Sequence, residues 1–379
     1  MSAGTELMVA ETSRCGAAEV LVIGGGIAGA SCALELARHR VNVTLVERSR
    51  FPRAKVCGCC VSDAGLRLLD QCSLKQQVLS RGQVTDRWIA SFDGRRVEIP
   101  VPIGVAISRE VFDPMLIDAA AESGAAVAMQ TQGTIDRMLP DGVLVTLLHD
   151  GQTVQKQFDA VVVAAGLSAG RVQELLPWTD APHGPFGVSC TARSDDLRPG
   201  AIYMACDDDG YVGMVQLADG QTDIAAALRP GSIGNAIGDP LARMQQILGR
   251  SGLPLPDFQT VSPVITTPPL RRTRRFGNAR VIAIGDAAGY VEPFTGEGMT
   301  WAMASGIAAA NRIATANDLR LLGDQWQLEL QQLLDRKKRL CRIVTTACRS
   351  SLLRRFAGHA LIRFPGLARP LLRELSRGV

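Results

Sequence analysis

Three glycines, Gly24, Gly26 and Gly29, follow an apolar run at Glu19–Ile23 in G-x-G-x-x-G spacing. The first permits a tight turn, the second lets a pyrophosphate approach the backbone, and the third lets a helix pack on the strand. The run itself reads as a buried parallel strand. Residues 28–38 then read as a helix. Its N-terminal amides and dipole, at Ala28 and with Ile27 just before it, favour a phosphate. A second strand over 41–46 ends at Glu47, 18 residues after Gly29. A carboxylate there accepts hydrogen bonds from a ribose and repels a 2′-phosphate. Arg48, beside it, is assigned to the same site. The implied chemistry is dinucleotide binding by NAD or FAD, not NADP. The plainer alternative is a structural glycine turn.

A second glycine-rich stretch separates NAD from FAD. Residues 280–284 read as a strand, followed by Gly285-Asp286, a turn containing Pro293, and Gly296-Glu297-Gly298 opening a helix near Met299. A helix N-terminus aimed inward can hold a flavin's pyrimidine carbonyl and stabilise negative charge on the reduced ring. Asp286 at a strand end suits ribityl hydroxyls. The competing reading is an acidic turn and a capped core helix. With both stretches in one chain, the expected cofactor is one non-covalent FAD.

These residues resemble the FAD-dependent oxidoreductases of the para-hydroxybenzoate hydroxylase fold, over roughly residues 19–315. The glycine motif with Glu47 and the G-D-A-A-G…P…G-E-G-M motif match, as does Arg109, which opens the ISREVFDPMLIDAA helix. Lys55-Val56-Cys57-Gly58 matches an element of the geranylgeranyl reductase-like branch. The resemblance implies a glutathione reductase type 2 FAD-binding domain, Rossmann-like and α/β, with an inserted antiparallel substrate sheet. It places the Lys55–Gly58 loop over the flavin and Arg109 near the pyrophosphate. Cys57 becomes a candidate proton donor or pocket element, against the commoner fate of a buried small hydrophobe. Tyr211 is a second candidate pocket residue.

Three departures bear on function. Cys59 and Cys60 stand where the reductases continue with glycines. Ala164-Ala165-Gly166 replaces the family's A-D-G, removing an acid that the hydroxylases use in cofactor and nicotinamide contacts. Tyr211-Val212-Gly213-Met214-Val215-Gln216 keeps the Tyr of Y-x-W-x-F-P but loses the Trp and Pro, which leaves space in a cavity wall.

Composition fits an enzyme with two sub-domains around a substantial core: 379 residues, 46 % hydrophobic and 21 % charged. No signal peptide is read at the N-terminus and no run approaches 18 apolar residues, so a cytoplasmic setting is expected. Ten scattered cysteines argue for a reducing compartment. No zinc site is read at Cys57–Cys60, because no second C-x-x-C exists and His is scarce.

The expected domains are 19–182 with 266–318 for FAD, and 183–265 for substrate. A hairpin at 85–107, turning at Asp93-Gly94, contributes to the substrate side. A helical basic region, 319–379, completes the chain, and residues 1–18 read as a disordered lead. Residues 336–379 hold twelve Lys or Arg and one acid, Glu374, so this segment is +11 and the remainder −7. Two readings stand: a solvated basic face on helices covering the substrate domain, or a peripheral contact with anionic lipid, each cation contributing roughly 1 kcal/mol. Nucleic acid is not expected, since aromatic stacking residues are few.

The leading function is reduction or dehydrogenation of a carbon–carbon bond in a large apolar substrate, isoprenoid, polyketide or lipid-like. The alternative is a monooxygenase using NAD(P)H and O2. A non-redox flavoprotein cyclase and a non-catalytic prenyl carrier follow. A halogenase is disfavoured because no W-x-W occurs. No second G-x-G-x-x-G exists, so the donor is NAD(P)H bound transiently or a reduced carrier protein. The sequence leaves the oligomeric state open.

Overall fold

The computed structural model describes residues 18–364 and 366, except 93, 169–171, 173, 179–183, 232–237, 271 and 291–295. Pro293 and residues 1–17 therefore lie outside the described residues.

Short runs of Val, Leu, Ile and Ala build the first layer. Val20-Leu21-Val22 and Ala160–Val163 are buried on both faces, as central strands of a parallel sheet require. The six strands lie in the order Gly277–Asn278, Val281–Ala283, Ala160–Val163, Glu19–Ile23, Asn42–Glu47, Ala126–Met129. All pair in parallel except the first, which is antiparallel to its neighbour. Ile27–Arg38 packs between Gly298–Ala314 and Arg109–Glu122, the latter capped by the Ser108 side chain. A three-stranded meander, Thr131–Leu139, Gly142–His149 and Gln152–Phe158, turns at Asp141-Gly142 and Asp150-Gly151 and leads back to the central strand.

The second layer is an eight-stranded sheet in the order Ile265–Pro269, Phe186–Ala192, Thr222–Leu228, Gly210–Gln216, Ala201–Asp207, Gln83–Phe92, Arg95–Ala106, Cys60–Val61. The hairpin expected at 85–107 is formed by Gln83–Phe92 and Arg95–Ala106. The hairpin joins the later strands through parallel pairing of Gln83–Phe92 with Ala201–Asp207, a non-local contact that local patterning does not contain.

Two helices end the described chain. Leu322–Arg349 runs from the first sheet to the second and is anchored by buried Trp326, whose Nε1 donates to the Ala283 carbonyl at 2.8 Å. Ser351–Arg363 lies on the 83–106 hairpin. No described helix is long and apolar enough to cross a membrane.

Candidate active site

Close approach dictates two of the motif glycines. Gly24 has φ +111°, and a Cβ there would sit 2.5 Å from the Ala164 carbonyl oxygen. A Cβ on Gly29 would sit 1.9 Å from the Gly24 oxygen. Gly26 differs: its Cβ would meet only Lys55 Nζ at 3.2 Å and Arg109 Nη2 at 3.8 Å. Two cations thus overhang an open cradle at the start of Ile27–Arg38, a setting matched to an anionic, oxygen-rich group. Buried Glu47 braces the turn by accepting from the Gly25 amide at 2.9 Å and the Ser49 amide at 2.8 Å. Arg53, also on this wall, donates Nη1 to Ser49 Oγ at 2.9 Å, while its buried Nε has no acceptor in the protein. The cradle and this orphaned donor fit a pyrophosphate-bearing cofactor.

Asp113, fully buried, holds the two cations. It accepts from Lys55 Nζ at 2.8 Å and from Arg109 Nε and Nη2 at 2.7 and 2.9 Å. Burial pushes its carboxyl up, but Arg109 and Lys55 hold it below the usual carboxylate range. Burial lowers Lys55, with Asp113 opposing. Asp113 is not a member of either motif. Its signal was the i, i+4 spacing from Arg109, which marks a same-face pair.

The Lys55–Gly58 loop carries a second cluster. Cys57 is lowered to about 6 by a hydrogen bond from Cys59, against burial, with the Arg109 charge assisting. The Cys59 amide donates to Cys57 Sγ at 3.4 Å. Cys59 itself is raised, first by a side-chain hydrogen bond with Cys57, then by burial and by Asp223. Cys60 is raised by burial and by the nearby charges of Asp223 and Cys57. Asp223, buried on Thr222–Leu228, is held well above the carboxylate range by burial and by Cys57, with the Cys59 hydrogen bond opposing. Cys59 stood out in the sequence only as a departure from the reductase glycines, and Asp223 escaped notice because it sits among apolar strand residues.

One cavity of about 1060 Å³ joins these groups. Gly24, Gly26, Ile27, Ala28, Glu47 and Arg48 line one end, and Lys55, Cys57 and Arg109 its middle. Asp286, Gly296, Gly298 and Met299 also line it. Asp286 lies in a short 3-10 turn, Gly285–Ala288. The helix Gly298–Ala314 begins at Glu297, which places no side-chain hydrogen bond on the first-turn amides; its carboxylate accepts from Ser62 Oγ at 3.0 Å instead. The far wall is apolar sheet: Trp88, Phe92, Ile99, Met204, Tyr211 and Met214. Tyr211 is buried there in one apolar cluster with Phe92, Ile99 and Leu270. Val344, Cys348 and Leu361 of the last two helices close this end. Thus the structure brings every described candidate residue to one cavity except Gly29, which packs the helix behind it.

A dinucleotide turn, two cations above it and an apolar annex in one cavity define an FAD-binding flavoprotein. Residues 17–188 match the FAD binding domain family. The chain is 28 % identical over 303 residues to a geranylgeranyl diphosphate reductase of Rhodobacter capsulatus, covering 77 % of this chain and 74 % of the relative. It is 24 % identical over 316 residues to a digeranylgeranylglycerophospholipid reductase of Methanosphaera stadtmanae, covering 77 % and 76 %. Among solved structures it resembles a flavin-dependent brominase, Bmp2, in triple-mutant form, with TM-score 0.77, 17 % identity and coverage of 94 % and 93 %. It also resembles a geranylgeranyl bacteriochlorophyll reductase-like protein from Thermoplasma acidophilum, with TM-score 0.73, 16 % identity and coverage of 95 % and 99 %. The structural likenesses speak to fold alone. With the family match and the reductase relatives, the chain is an FAD-dependent oxidoreductase, geranylgeranyl reductase-like.

Proposed function

We propose that this flavoprotein reduces carbon–carbon double bonds in a long apolar, isoprenoid-type substrate. The observation that carries the reading is the continuity of the cavity. A charged, glycine-lined end fits a pyrophosphate, a polar middle holds Cys57, and an apolar sheet wall provides room for a hydrocarbon chain. In this reading residues 19–182 with 266–318 hold FAD, 183–265 face the substrate, and the helices Leu322–Arg349 and Ser351–Arg363 cover its apolar end.

The residues divide the work. Gly26 and the first amides of Ile27–Arg38 would receive the pyrophosphate, with Lys55 and Arg109 placed to neutralise it. Glu47 holds the turn in shape and offers its remaining lone pairs to a ribose. Asp286 and the Gly296–Met299 segment line the same cavity and would hold the ribityl and pyrimidine part of the flavin. Bound FAD supplies the two-electron, hydride-equivalent chemistry. Tyr211 and the apolar sheet residues bind the substrate chain and exclude water from it. The reductase reading gains over hydroxylation from Ala164-Ala165-Gly166, which carries no acid, and from the cysteine cluster facing the cavity. The donor is NAD(P)H or a reduced carrier protein.

The test is anaerobic. Purified yellow protein is reduced with dithionite and mixed with geranylgeranyl diphosphate. Reoxidation of the flavin together with a product two hydrogens heavier supports the proposal. Reoxidation that requires O2 and yields an oxygenated product would replace it with the monooxygenase reading.

A further inference from the structure

A strand presents alternate residues to one face of its sheet. On Thr222–Leu228 this puts Asp223, Ala225 and Ala227 on the cavity side, while Ile224 and Leu228 enter the core with Met244, Ile247 and Leu248 of the helix Pro240–Ser251. Cross-strand pairing extends the cavity face. Asp223 lies opposite Val215, Ala225 opposite Gly213, and Ala227 opposite Tyr211. The middle rung, Ala225 and Gly213, is thus a trough in the cavity floor, with the Tyr211 rung on one side and Asp223 on the other. A Cβ on Gly213 would come no closer than 3.5 Å to any neighbour, so this glycine leaves room rather than answering a backbone demand. A Cβ on Gly58 would sit 3.9 Å from the Ala225 Cβ, which places the Lys55–Gly58 loop over the same trough.

Small residues alone would mean close packing, but the trough ends in a carboxyl. Asp223 is only 6 % exposed and lines the cavity. Among the described residues no N–H or O–H group donates to it. The polar groups around it are the thiols of Cys59, Cys60 and Cys190, and a thiol is a weak donor. Burying a carboxyl with so little compensation is unfavourable, and nothing in the fold requires an acid at this strand position. In an otherwise apolar pocket, a few such groups are what fix a ligand's orientation. The partner must be neutral or cationic, because an anionic end would meet the carboxyl's own charge. A hydroxyl both donates and accepts, so it satisfies a carboxyl in either protonation state.

We propose that Asp223 anchors the substrate by hydrogen-bonding a hydroxyl at its polar end, so that this flavoprotein takes an isoprenoid-type alcohol laid along the Ala225–Gly213 trough beneath the Lys55–Gly58 loop. The proposal rests on the reading of a long apolar substrate and adds which end group the site selects. The chain fills the apolar sheet wall, and the hydroxyl supplies the donor that Asp223 lacks in the free protein. An analogue without the hydroxyl leaves the carboxyl buried and unpaired, which is how a polar group in an apolar site rejects the wrong ligand.

Binding to the oxidised holoprotein tests this without turnover. Geranylgeraniol and its deoxy analogue, in which hydrogen replaces the hydroxyl, are titrated in the same detergent and followed by perturbation of the flavin absorbance. Wild type is expected to bind the alcohol at least about tenfold more tightly, the scale of one hydrogen bond to a buried acceptor. In Asp223→Leu the two probes are expected to bind alike, with the deoxy analogue no weaker than in wild type. A merely structural Asp223 would shift both probes together. Equal affinities in wild type, a preference that survives Asp223→Leu, or no binding of the alcohol overturns the proposal. Should Asp223→Leu fail to fold, Gly213→Leu fills the trough from its other strand. It is expected to exclude the alcohol while retaining flavin, and unchanged affinity overturns the placement. If the alcohol binds through Asp223 but does not reoxidise dithionite-reduced flavin anaerobically, the reductase reading fails and the anchor stands.

Discussion

Arg109 and Asp113, one helical turn apart, form a two-pronged pair in which Nε donates to Oδ1 at 2.7 Å and Nη2 to Oδ2 at 2.9 Å. The same guanidinium faces the Gly26 cradle and the Cys57 sulfur. One buried carboxylate therefore aims a cation at both the phosphate end and the chemical middle of the cavity.

Removing that carboxylate should cost stability more than any surface pair would. Asp113→Asn leaves Lys55 and Arg109 without their shared anion, and breaking a buried pair costs about 3–5 kcal/mol. The pH dependence has a definite sign. The folded pKa of Asp113 is depressed, so its contribution is present above the ordinary aspartate range and disappears as pH falls through the lower folded value. Urea denaturation should show a large gap between wild type and variant at pH 7 that closes in strong acid. A gap independent of pH would assign the loss to packing.

Asp223 should behave oppositely. Its folded carboxyl is held above the ordinary range, so folding at neutral pH opposes an ionisation the unfolded chain makes freely. Asp223→Asn should stabilise the protein at pH 7, and the gain should vanish below the ordinary aspartate range. Calorimetric Tm values at the two pH settings check this. Destabilisation at pH 7 would mean that the carboxyl is ionised and partnered.

The glycines separate folding from cofactor binding. Gly24→Ala places a Cβ 2.5 Å from backbone at φ +111°, so the turn itself must shift. A loss of about 1–3 kcal/mol is expected, with or without flavin. Gly26→Val meets only the ends of Lys55 and Arg109, which can swing away, so the fold should persist. Its side chain fills the pyrophosphate's place, and the protein should purify colourless. Flavin absorbance against the circular dichroism melt distinguishes the two. A yellow Gly26→Val protein would remove the phosphate from this cradle.

This contrast also marks what was legible in the chain. The glycine spacing, Glu47 and the helix starts are local, and local sterics write them into adjacent residues. The Lys55–Gly58 loop could be placed by resemblance, but its partners could not. Asp223 lies 166 residues beyond Cys57 in the sequence. It reaches the cavity because Thr222–Leu228 joins a sheet that includes Cys60–Val61 at its far edge. Its immediate neighbours, Ile224 to Leu228, read as an apolar strand in which one acid resembles a surface residue. For the basic tail only the inner face is read from the structure, where Val344, Cys348 and Leu361 line the cavity.

The outward face of those helices leads to the last prediction. Leu352 is 68 % exposed, Phe356 75 % and Phe364 61 %, amounts of apolar surface that a solvated face would not need. Exposed Arg339, Arg342, Arg355 and Arg363 belong to the same helices. Meanwhile Arg354 is buried, pairing with Asp208 at 3.0 Å and donating to the Cys348 carbonyl at 3.1 Å, so the second helix is pinned where it closes the cavity. An anionic bilayer would attract the arginines and accept the apolar side chains, putting the cavity's apolar end next to a lipid substrate. The protein should co-sediment with vesicles containing anionic lipid and less with neutral ones. Raising salt to roughly 0.5 M should release most of it, since exposed charges are screened over a Debye length of about 8 Å already at physiological ionic strength. Leu352→Ser with Phe356→Ser should weaken binding while leaving flavin content and the pinned helix intact, as both side chains point away from the core. Full-length protein that ignores anionic vesicles at low salt would make these helices a lid alone, with substrate arriving through solution or on a carrier.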